Sequence, residues 1–322
     1  MAIREFFLQT VMTLSDALDV VRASPDFRLL TRIPETLARP APDDGPTGFA
    51  LIADTETTGM DRQRDKVIEI GLLLVRYHKA SGLLLEAVDS YSALEDPGEP
   101  LNDIVKTVTG LSDEHLAGQH IDDARVMKIA EKADLVIAHN ASFDRPFMER
   151  RWPVFKDKAF ACSINEIDWM AAGYASAKLE MLALKSGVFY DSHRALNDCW
   201  ALLYILALDI GGPGNSAFRQ LLEQARQPSW LISIQVRFDD KDRLKAIGGF
   251  QWMDGGTPPF PAKSWLRRCR DGAERDEVLE RIRNEVFRGD AFDCQVGRVT
   301  AMRRYSLDQS GLSLTPLRCG GE

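Results

Sequence analysis

Cysteine is scarce in this chain, with five residues among 322, and those five lie far apart. They are Cys162, Cys199, Cys269, Cys294 and Cys319. Their spacing contains no closely paired set of the kind that binds zinc, and it provides no disulfide framework. Such sparse and scattered usage is typical of a protein from a reducing compartment.

Long hydrophobic runs are also missing. No apolar stretch approaches the roughly 20 residues that a helix needs to cross a bilayer. The first residues carry Glu5 and Asp16 and show no small-residue cleavage site, which argues against a signal peptide. We therefore expect a cytoplasmic protein that makes no contact with a membrane.

Basic residues are outnumbered, because 40 Lys and Arg stand against 48 Asp and Glu, for a formal charge of −8. The acidic excess lies before Arg219, and the rest of the chain is slightly basic. An acidic first part argues against simple electrostatic capture of nucleic acid. That objection weakens if several of the acids hold divalent cations.

Proline and glycine punctuate the chain and suggest four segments. The expected bounds are 1–48 for a helical lead-in (about 13–37) and a linker, 49–210 for a large domain, 211–229 for a connecting helix, and 230–322 for a small unit. The small unit alternates strand and helix patterns, which predicts a compact α+β module. Residues past Ser306 have the composition of a loose tail.

The large segment begins with three apolar stretches, "FALIAD", "KVIEIGLLLVRYH" and "LLLEAVDSYSAL", separated by short turns. This spacing favours an antiparallel meander of three strands. Strand and helix patterns alternate after it: "IDDARVMKIAEKA", "DLVIAHN", "DRPFMERRW", "KLEMLALKSG" and "RALNDCWALLYILAL". The order predicts an α/β domain with a mixed central sheet.

Two acids, Asp54 and Glu56, stand one residue apart at the end of the first strand. Alternate residues of a strand point to the same side, roughly 6.5–7 Å apart, so both carboxylates face one way if the strand continues. Close carboxylates repel each other unless a cation or a proton is shared between them. The alternative is that both are solvated residues of a turn.

A third acid, Asp144, follows the strand of "VIAHNASFDRPFMERR" at the start of a helix. It either joins a site at the end of that strand or complements the helix dipole as a first-turn acid.

His193 and Asp198 form another candidate pair, in "DSHRALNDCWALL". Five residues correspond to roughly 140° around a helix, so the two side chains cannot share one helical face. The spacing suits a histidine on the preceding loop and an aspartate in the second helical turn. Asp198 lies beside Cys199 and Trp200, and an acid in an apolar stretch needs a partner. The alternative is a surface histidine and an ordinary helix acid.

Taken in order, "DTETTG", "HNASFD" and "HRALND" resemble the three motifs of the DEDD superfamily of 3′–5′ exonucleases, in its subclass with a catalytic histidine. The likeness covers about residues 49–209 and is closest to the proofreading exonucleases of bacterial DNA polymerase III. "GLSDEHL" and "KLEMLALKSGV" also resemble segments of that family. The fold that the resemblance implies is a ribonuclease-H-like exonuclease sheet.

Carried onto this chain, the resemblance implies that Asp54, Glu56, Asp144 and Asp198 bind two Mg²⁺ or Mn²⁺ ions and that His193 is the general base. Hard oxygen ligands suit these cations, and imidazole exchanges protons near neutral pH. The implied reaction is hydrolysis at a nucleic-acid 3′ end, with release of nucleoside 5′-monophosphates.

Thr57 and Asn140 occupy positions that lie near the terminal nucleotide in the family. Thr109 departs from the pattern, because the polymerase exonucleases usually have histidine there. This departure argues against close equivalence to those proteins, but it does not affect the predicted reaction.

The expected substrate is single-stranded DNA. Two alternatives stay open: an enzyme of the same superfamily that trims RNA 3′ ends, and a non-catalytic nucleic-acid-binding adaptor. The small unit could recruit a polymerase or another protein partner. Its aromatic and basic residues around Trp252 and Trp265 could instead hold single strands by stacking, although tryptophans are more often core residues.

Overall fold

The computed structural model describes residues 12–256, 259–260, 262–309 and 311–320. The first eleven residues, on which the prediction of no signal peptide partly rests, lie outside this range. Within the described residues, no helix combines the length and hydrophobicity needed to cross a membrane.

The lead-in is helical only at its start, over α1 (Leu14–Ala23), which Thr13 caps through its side chain. The expectation of a helical segment to about residue 37 is therefore wrong. Pro25 follows the helix, and the chain then forms a two-residue strand, β1 (Thr31–Arg32), that pairs with a later strand. A proline restricts the residue before it to extended conformations, so the helix ends there.

The large domain contains the predicted mixed sheet, in the order β4-β3-β2-β5-β6. Strands β2, β3 and β4 form an antiparallel meander, whereas β5 and β6 run parallel to β2. The carboxyl ends of β2, β5 and β6 consequently lie at one edge of the sheet. The bounds are β2 Thr47–Thr57, β3 Val67–His78, β4 Leu84–Leu94, β5 Leu135–Ala138 and β6 Phe160–Cys162.

Helices cover both faces of this sheet. Neighbouring residues of β2 point in opposite directions, so Leu51 belongs to one buried core and Ile52 to the other. Both faces are therefore apolar, which explains the nearly continuous hydrophobic runs. The helices are α2 Asp103–Thr109, α3 Asp113–Leu116, α4 Asp123–Glu131, α5 Ala141–Arg151, α6 Leu179–Lys185, α7 Ala195–Leu206 and α8 Ala217–Arg226; β7 (Val188–Phe189) pairs with β1.

The C-terminal unit is a separate antiparallel sheet in the order β12-β11-β8-β10-β9, with two helices packed on one face. The predicted tail is partly wrong, because β12 pairs along β11 at the edge of the sheet. The elements are β8 Ser229–Ile234, α9 Lys241–Ile247, β9 Phe250–Met253, β10 Ser264–Cys269, α10 Gly272–Arg281, β11 Phe292–Val299 and β12 Thr315–Cys319.

The two tryptophans of this unit meet across β9 and β10, with ring centroids 5.2 Å apart. Trp252 is 50% exposed, so it is not the core residue that tryptophans usually are. An aromatic side chain on an edge strand is available for stacking, and the stacking role stays a prediction.

A buried polar network joins the two sheets. Arg145 of α5 is fully buried and pairs with Glu149 at 2.7 Å. Its guanidinium also donates to the carbonyl oxygens of Ala301, Met302 and Arg304. The segment after β11 is thus bound to the helix that carries Asp144.

Candidate active site

The end of β2 supplies the first two acids. Asp54 and Glu56 point to the same side of the strand and line one pocket. The pairing with β3 shifts register between Glu56 and Thr57, so the regular strand ends at this point. The sequence-based expectation of two carboxylates on one side of a strand end agrees with this arrangement.

Asp144 approaches from α5 and lies in the fourth position of that helix. Its Oδ1 accepts hydrogen bonds from the Thr55 backbone N–H at 3.1 Å and from the Thr55 hydroxyl at 2.8 Å. Thr55 therefore orients this carboxylate from between Asp54 and Glu56. Asp144 is only 2% exposed and lines the same pocket.

Asp198 approaches from α7, where it lies in the first turn and not in the expected second turn. Its Oδ1 accepts a hydrogen bond from the Tyr190 hydroxyl at 2.9 Å, and its Oδ2 accepts one from the Arg194 backbone N–H at 3.2 Å. Both oxygens are thereby oriented. Tyr190 lines the pocket, and its contribution was not anticipated from the sequence.

His193 lies on the loop before α7, as its spacing from Asp198 suggested. Its backbone has φ 62°, a left-handed conformation that is uncommon outside glycine. The side chain is exposed and lines the pocket. Asn197 secures the loop by donating from its side chain to the Asp191 carbonyl oxygen at 3.0 Å.

The elements bring the acids together over a large sequence separation. Asp54, Glu56 and Asp198 each offer a carboxylate oxygen, and these oxygens all lie within 4.8 Å of one another. Asp144 and His193 border the same cavity of about 710 Å³, as does Asn140. The cavity is wide enough to admit a nucleotide-sized ligand to the acids.

Proximity and burial disfavour negative charge at this site. Burial, followed by repulsion from Asp144, Asp198 and Glu56, holds the pKa of Asp54 well above its usual range. Burial, followed by repulsion from Asp198, Glu69 and Asp144, raises the pKa of Glu56 to about 8, and burial raises that of Asp144 to about 7. Buried carboxylates this close together are stable only when protons or bound cations offset their negative charge.

The donor set fits divalent cations with hard character. Carboxylate oxygens are the ligands that Mg²⁺ and Mn²⁺ prefer, and three of them lie within 4.8 Å of one another here. Burial and then mutual repulsion raise the pKa of Asp54 and of Glu56, so a bound cation would stabilise their charged forms. The residues present therefore suit a divalent-metal site.

A fifth acid, Glu69, borders the cluster and was not recognised in the sequence. It lies directly opposite Glu56 in the β2–β3 pairing and is 1% exposed. The guanidinium of Arg194 approaches it, with Nε 3.2 Å from Oε1. Burial raises the pKa of Glu69, and the charge and hydrogen bond of Arg194 counter part of that rise.

Thr57 is the one predicted site residue that the structure places away from the pocket lining. Its side chain is buried, and its hydroxyl donates to the Gly59 carbonyl oxygen at 2.6 Å. Asn140 does line the pocket, and its side-chain oxygen accepts from the Ser142 hydroxyl at 2.8 Å. Contact of either residue with substrate stays a prediction.

The chain is similar to known exonucleases and DNA polymerases. The family profile RNase_T, described as an exonuclease, matches residues 51–206. A PolC-type DNA polymerase III from Thermotoga maritima is 30% identical over 174 residues, which cover 51% of this chain and 12% of that protein. Its counterpart from Listeria monocytogenes is 27% identical over 161 residues, covering 48% of this chain and 11% of that protein. The chain thus spans about one eighth of the length of these relatives.

Solved exonucleases are more distant. The zinc-bound complex of E. coli ExoI with single-stranded DNA is 15% identical, with a TM-score of 0.45, and the match covers 58% of this chain and 48% of that one. Exonuclease X in complex with 5′-overhanging duplex DNA is 22% identical, with a TM-score of 0.40, over 54% of this chain and 98% of that one. Residues 51–206 match the RNase_T exonuclease family, and the chain is also similar to PolC-type DNA polymerase III.

Proposed function

We propose that this protein is a metal-dependent 3′–5′ exonuclease that releases nucleoside 5′-monophosphates from nucleic-acid 3′ ends. The observation that carries the proposal is the convergence of Asp54, Glu56 and Asp198 within 4.8 Å, beside Asp144 and His193 in one open cavity. A 3′–5′ exonuclease needs an accessible acidic site of this kind, and the family match supports the same reaction class.

Asp54, Glu56, Asp144 and Asp198 would hold the metal. Two divalent ions, when bound, neutralise the phosphodiester charge, activate the attacking water and stabilise the leaving oxygen. The chain's own part is to fix the four carboxylates before substrate arrives. Thr55 fixes Asp144, and Tyr190 with the Arg194 N–H fixes Asp198.

His193 would take the proton from the attacking water. Its exposed side chain on the pocket rim is free to reach a water molecule above the acids. General-base catalysis by a positioned side chain contributes about 10²–10⁴-fold to a rate. Asn140, at the N-terminus of α5, would contact the terminal nucleotide.

Single-stranded DNA is the proposed substrate, in keeping with the resemblance of the three sequence motifs to those of polymerase proofreading exonucleases. An RNA-trimming enzyme of the same superfamily is the second candidate, and the ribose 2′-hydroxyl is the group by which the two substrates differ. A non-catalytic adaptor would be expected to lack one or more of the five site residues, and all five are present.

Digestion of matched DNA and RNA oligonucleotides tests the proposal, with label at either the 3′ or the 5′ end. The 3′ label should be released at once as a mononucleotide, the 5′ label should shorten stepwise, and EDTA should stop both. Asp54→Asn should abolish cleavage, whereas Asp191→Asn, an exposed acid that pairs with Arg32, should not. Endonucleolytic products, or full activity in EDTA, would contradict the proposal.

A His193→Asn variant isolates the general base. Asparagine tolerates the left-handed backbone at this position, so the fold and the metal affinity should be retained. The rate should fall about 10²–10⁴-fold. A wild-type rate for this variant would remove His193 from the chemistry.

A further inference from the structure

A second cavity, which we call the junction cleft, lies between the exonuclease domain and the C-terminal sheet. It has a volume of about 290 Å³, and Asn165, Arg268, Arg270, Arg304 and Tyr305 are among the residues that line it. This is less than half the volume of the active-site cavity. The space suits a phosphate group and its waters better than a whole nucleotide.

The acids of the cleft already have partners. Glu166 accepts hydrogen bonds from the Tyr305 hydroxyl at 2.8 Å and the Cys162 backbone N–H at 3.1 Å, and its other oxygen lies 2.8 Å from Arg304 Nη1. Glu274 pairs with Arg267 at 3.0 Å. Neither carboxylate is left to neutralise a further cation.

Two arginine side chains of the cleft, by contrast, have N–H groups without an acceptor among the described residues. Arg304 is 2% exposed, and its Nε has no hydrogen-bond partner within the described part of the chain. The Arg268 side chain is exposed, and across the same residues its guanidinium has neither a hydrogen-bond acceptor nor a carboxylate within ion-pair distance. A buried guanidinium N–H without an acceptor is costly, and an anion would satisfy it.

The cleft adjoins the active site through the loop after β6. Because β2, β5 and β6 are parallel, this loop leaves the sheet at the edge where Asp54 and Glu56 lie. Ile164 of the loop lines the active-site cavity, and its neighbour Asn165 lines the cleft. A nucleic-acid strand that runs from the active-site acids over Ile164 would therefore reach the junction cleft next.

We propose that the junction cleft binds a backbone phosphate of the single strand whose 3′ end occupies the active site. Arg268 is the primary donor, supported by Arg304 Nε and the side-chain amide of Asn165. The proposal rests on the proposed exonuclease function and assigns the C-terminal sheet a direct part in gripping substrate. Phosphate contacts of this kind position a strand without reading its bases.

Arg268→Gln tests the cleft, with Arg318→Gln as the matched control. Arg318 lies on β12, an edge strand of the same sheet, and pairs with Asp293. Each of the two variants removes one positive charge. Substrates are dT2, dT4, dT8 and dT16, together with the p-nitrophenyl ester of thymidine 5′-monophosphate, which is too small to reach the cleft. Salt is varied in each case.

For the longest strand, Arg268→Gln should raise KM on the order of fivefold at 0.1 M salt, which is the loss of one single-strand phosphate contact. Its plot of log KM against log salt should flatten by about 0.7. kcat, hydrolysis of the ester and the Arg318→Gln control should not change. Arg268→Lys should recover part of the affinity.

Equal KM values for Arg268→Gln and wild type on dT16 would overturn the proposal. So would an equal loss on the ester, since that loss would mean a disturbed active site. Fluorescence anisotropy of labelled dT16 in Ca²⁺ keeps the two proposals apart. If the wild type cleaves nothing, the exonuclease proposal fails. The affinity of Arg268→Gln for labelled dT16, compared with that of Arg318→Gln, still tests whether the junction cleft binds the strand.

Discussion

Gly71 lies directly opposite Asp54 in the antiparallel pairing of β2 and β3. The backbone of Ala195, at the start of α7, passes so close to Gly71 that a Cβ there would collide with it. The missing side chain thus lets α7 approach the sheet beside Asp54. This close approach brings Asp198, one turn further on, to the acids of β2.

Gly71→Ala should therefore damage both stability and the site. We expect a loss of about 3 kcal/mol in the free energy of unfolding, since the added methyl meets backbone atoms that cannot move independently. Mg²⁺ affinity should fall as Asp198 is pushed outward. Gly272→Ala is the control, because the nearest atom to its Cβ would lie at an ordinary 3.6 Å. Urea unfolding and metal titration of both variants check this, and a wild-type Mg²⁺ affinity for Gly71→Ala would contradict it.

Tyr190→Phe should weaken metal binding without unfolding the protein. The substitution removes the 2.9 Å hydrogen bond that orients Asp198 Oδ1 and leaves the ring in place. We expect about a tenfold rise in the Mg²⁺ concentration for half-maximal rate, in line with the loss of one hydrogen bond to a charged group. Tyr204→Phe is the control, because the Tyr204 hydroxyl makes no hydrogen bond with the residues described. An unchanged Mg²⁺ requirement for Tyr190→Phe would show that Asp198 does not depend on it.

Metal-free protein should lose stability as pH rises. In the folded state the pKa of Glu56 is raised to about 8 and that of Asp144 to about 7, above the ordinary values of 4.5 and 3.8. Such groups stabilise the fold below their unfolded pKa, and this contribution disappears as pH rises through the folded pKa. Thermal unfolding in EDTA between pH 4 and pH 8 should show this decline, and Mg²⁺ should restore most stability at the alkaline end. A flat profile in EDTA would mean that neither burial nor mutual repulsion raises the pKa of these acids in the folded protein.

Arg145→Gln should destabilise the whole protein by about 3–5 kcal/mol, because Glu149 would stay buried without its partner. The Arg145 guanidinium also satisfies three carbonyl groups of the C-terminal unit. Arg22→Gln, which breaks an exposed pair with Asp19, should cost less than about 1 kcal/mol. Chemical unfolding measures both. Similar losses in the two variants would mean that the two sheets are stable independently of this network.

The sequence predicted the acidic residues of the site more completely than the residues that contact or orient them. Period-two alternation placed Asp54 and Glu56 on one side of a strand, and the five-residue spacing placed His193 on a loop. Tyr190 and Glu69 escaped notice, because nothing local indicates that a hydroxyl eight residues before Asp198 binds its carboxylate, or that an acid within "KVIEIG" lies opposite Glu56. Those contacts arise only when the elements pack together.

The errors in the fold have similar causes. Thr315–Cys319 contains a proline and few apolar residues, so it reads as a tail, yet an edge strand tolerates proline and needs only one partner. Arg145 lies in the charged stretch "DRPFMERR" and has the pattern of a surface residue. Its burial follows from a contact with residues more than 150 positions away, which no local pattern reveals.

Binding of Mn²⁺ tests the central claim most directly, since the claim is that distant acids form one divalent-metal site. Titration followed by electron paramagnetic resonance should give two ions per wild-type chain with the spectrum of a magnetically coupled pair, as expected for ions about 3.5–4 Å apart. Asp54→Asn should lose the coupled signal. A single uncoupled ion in the wild type, or an unchanged coupled signal in Asp54→Asn, would contradict the account.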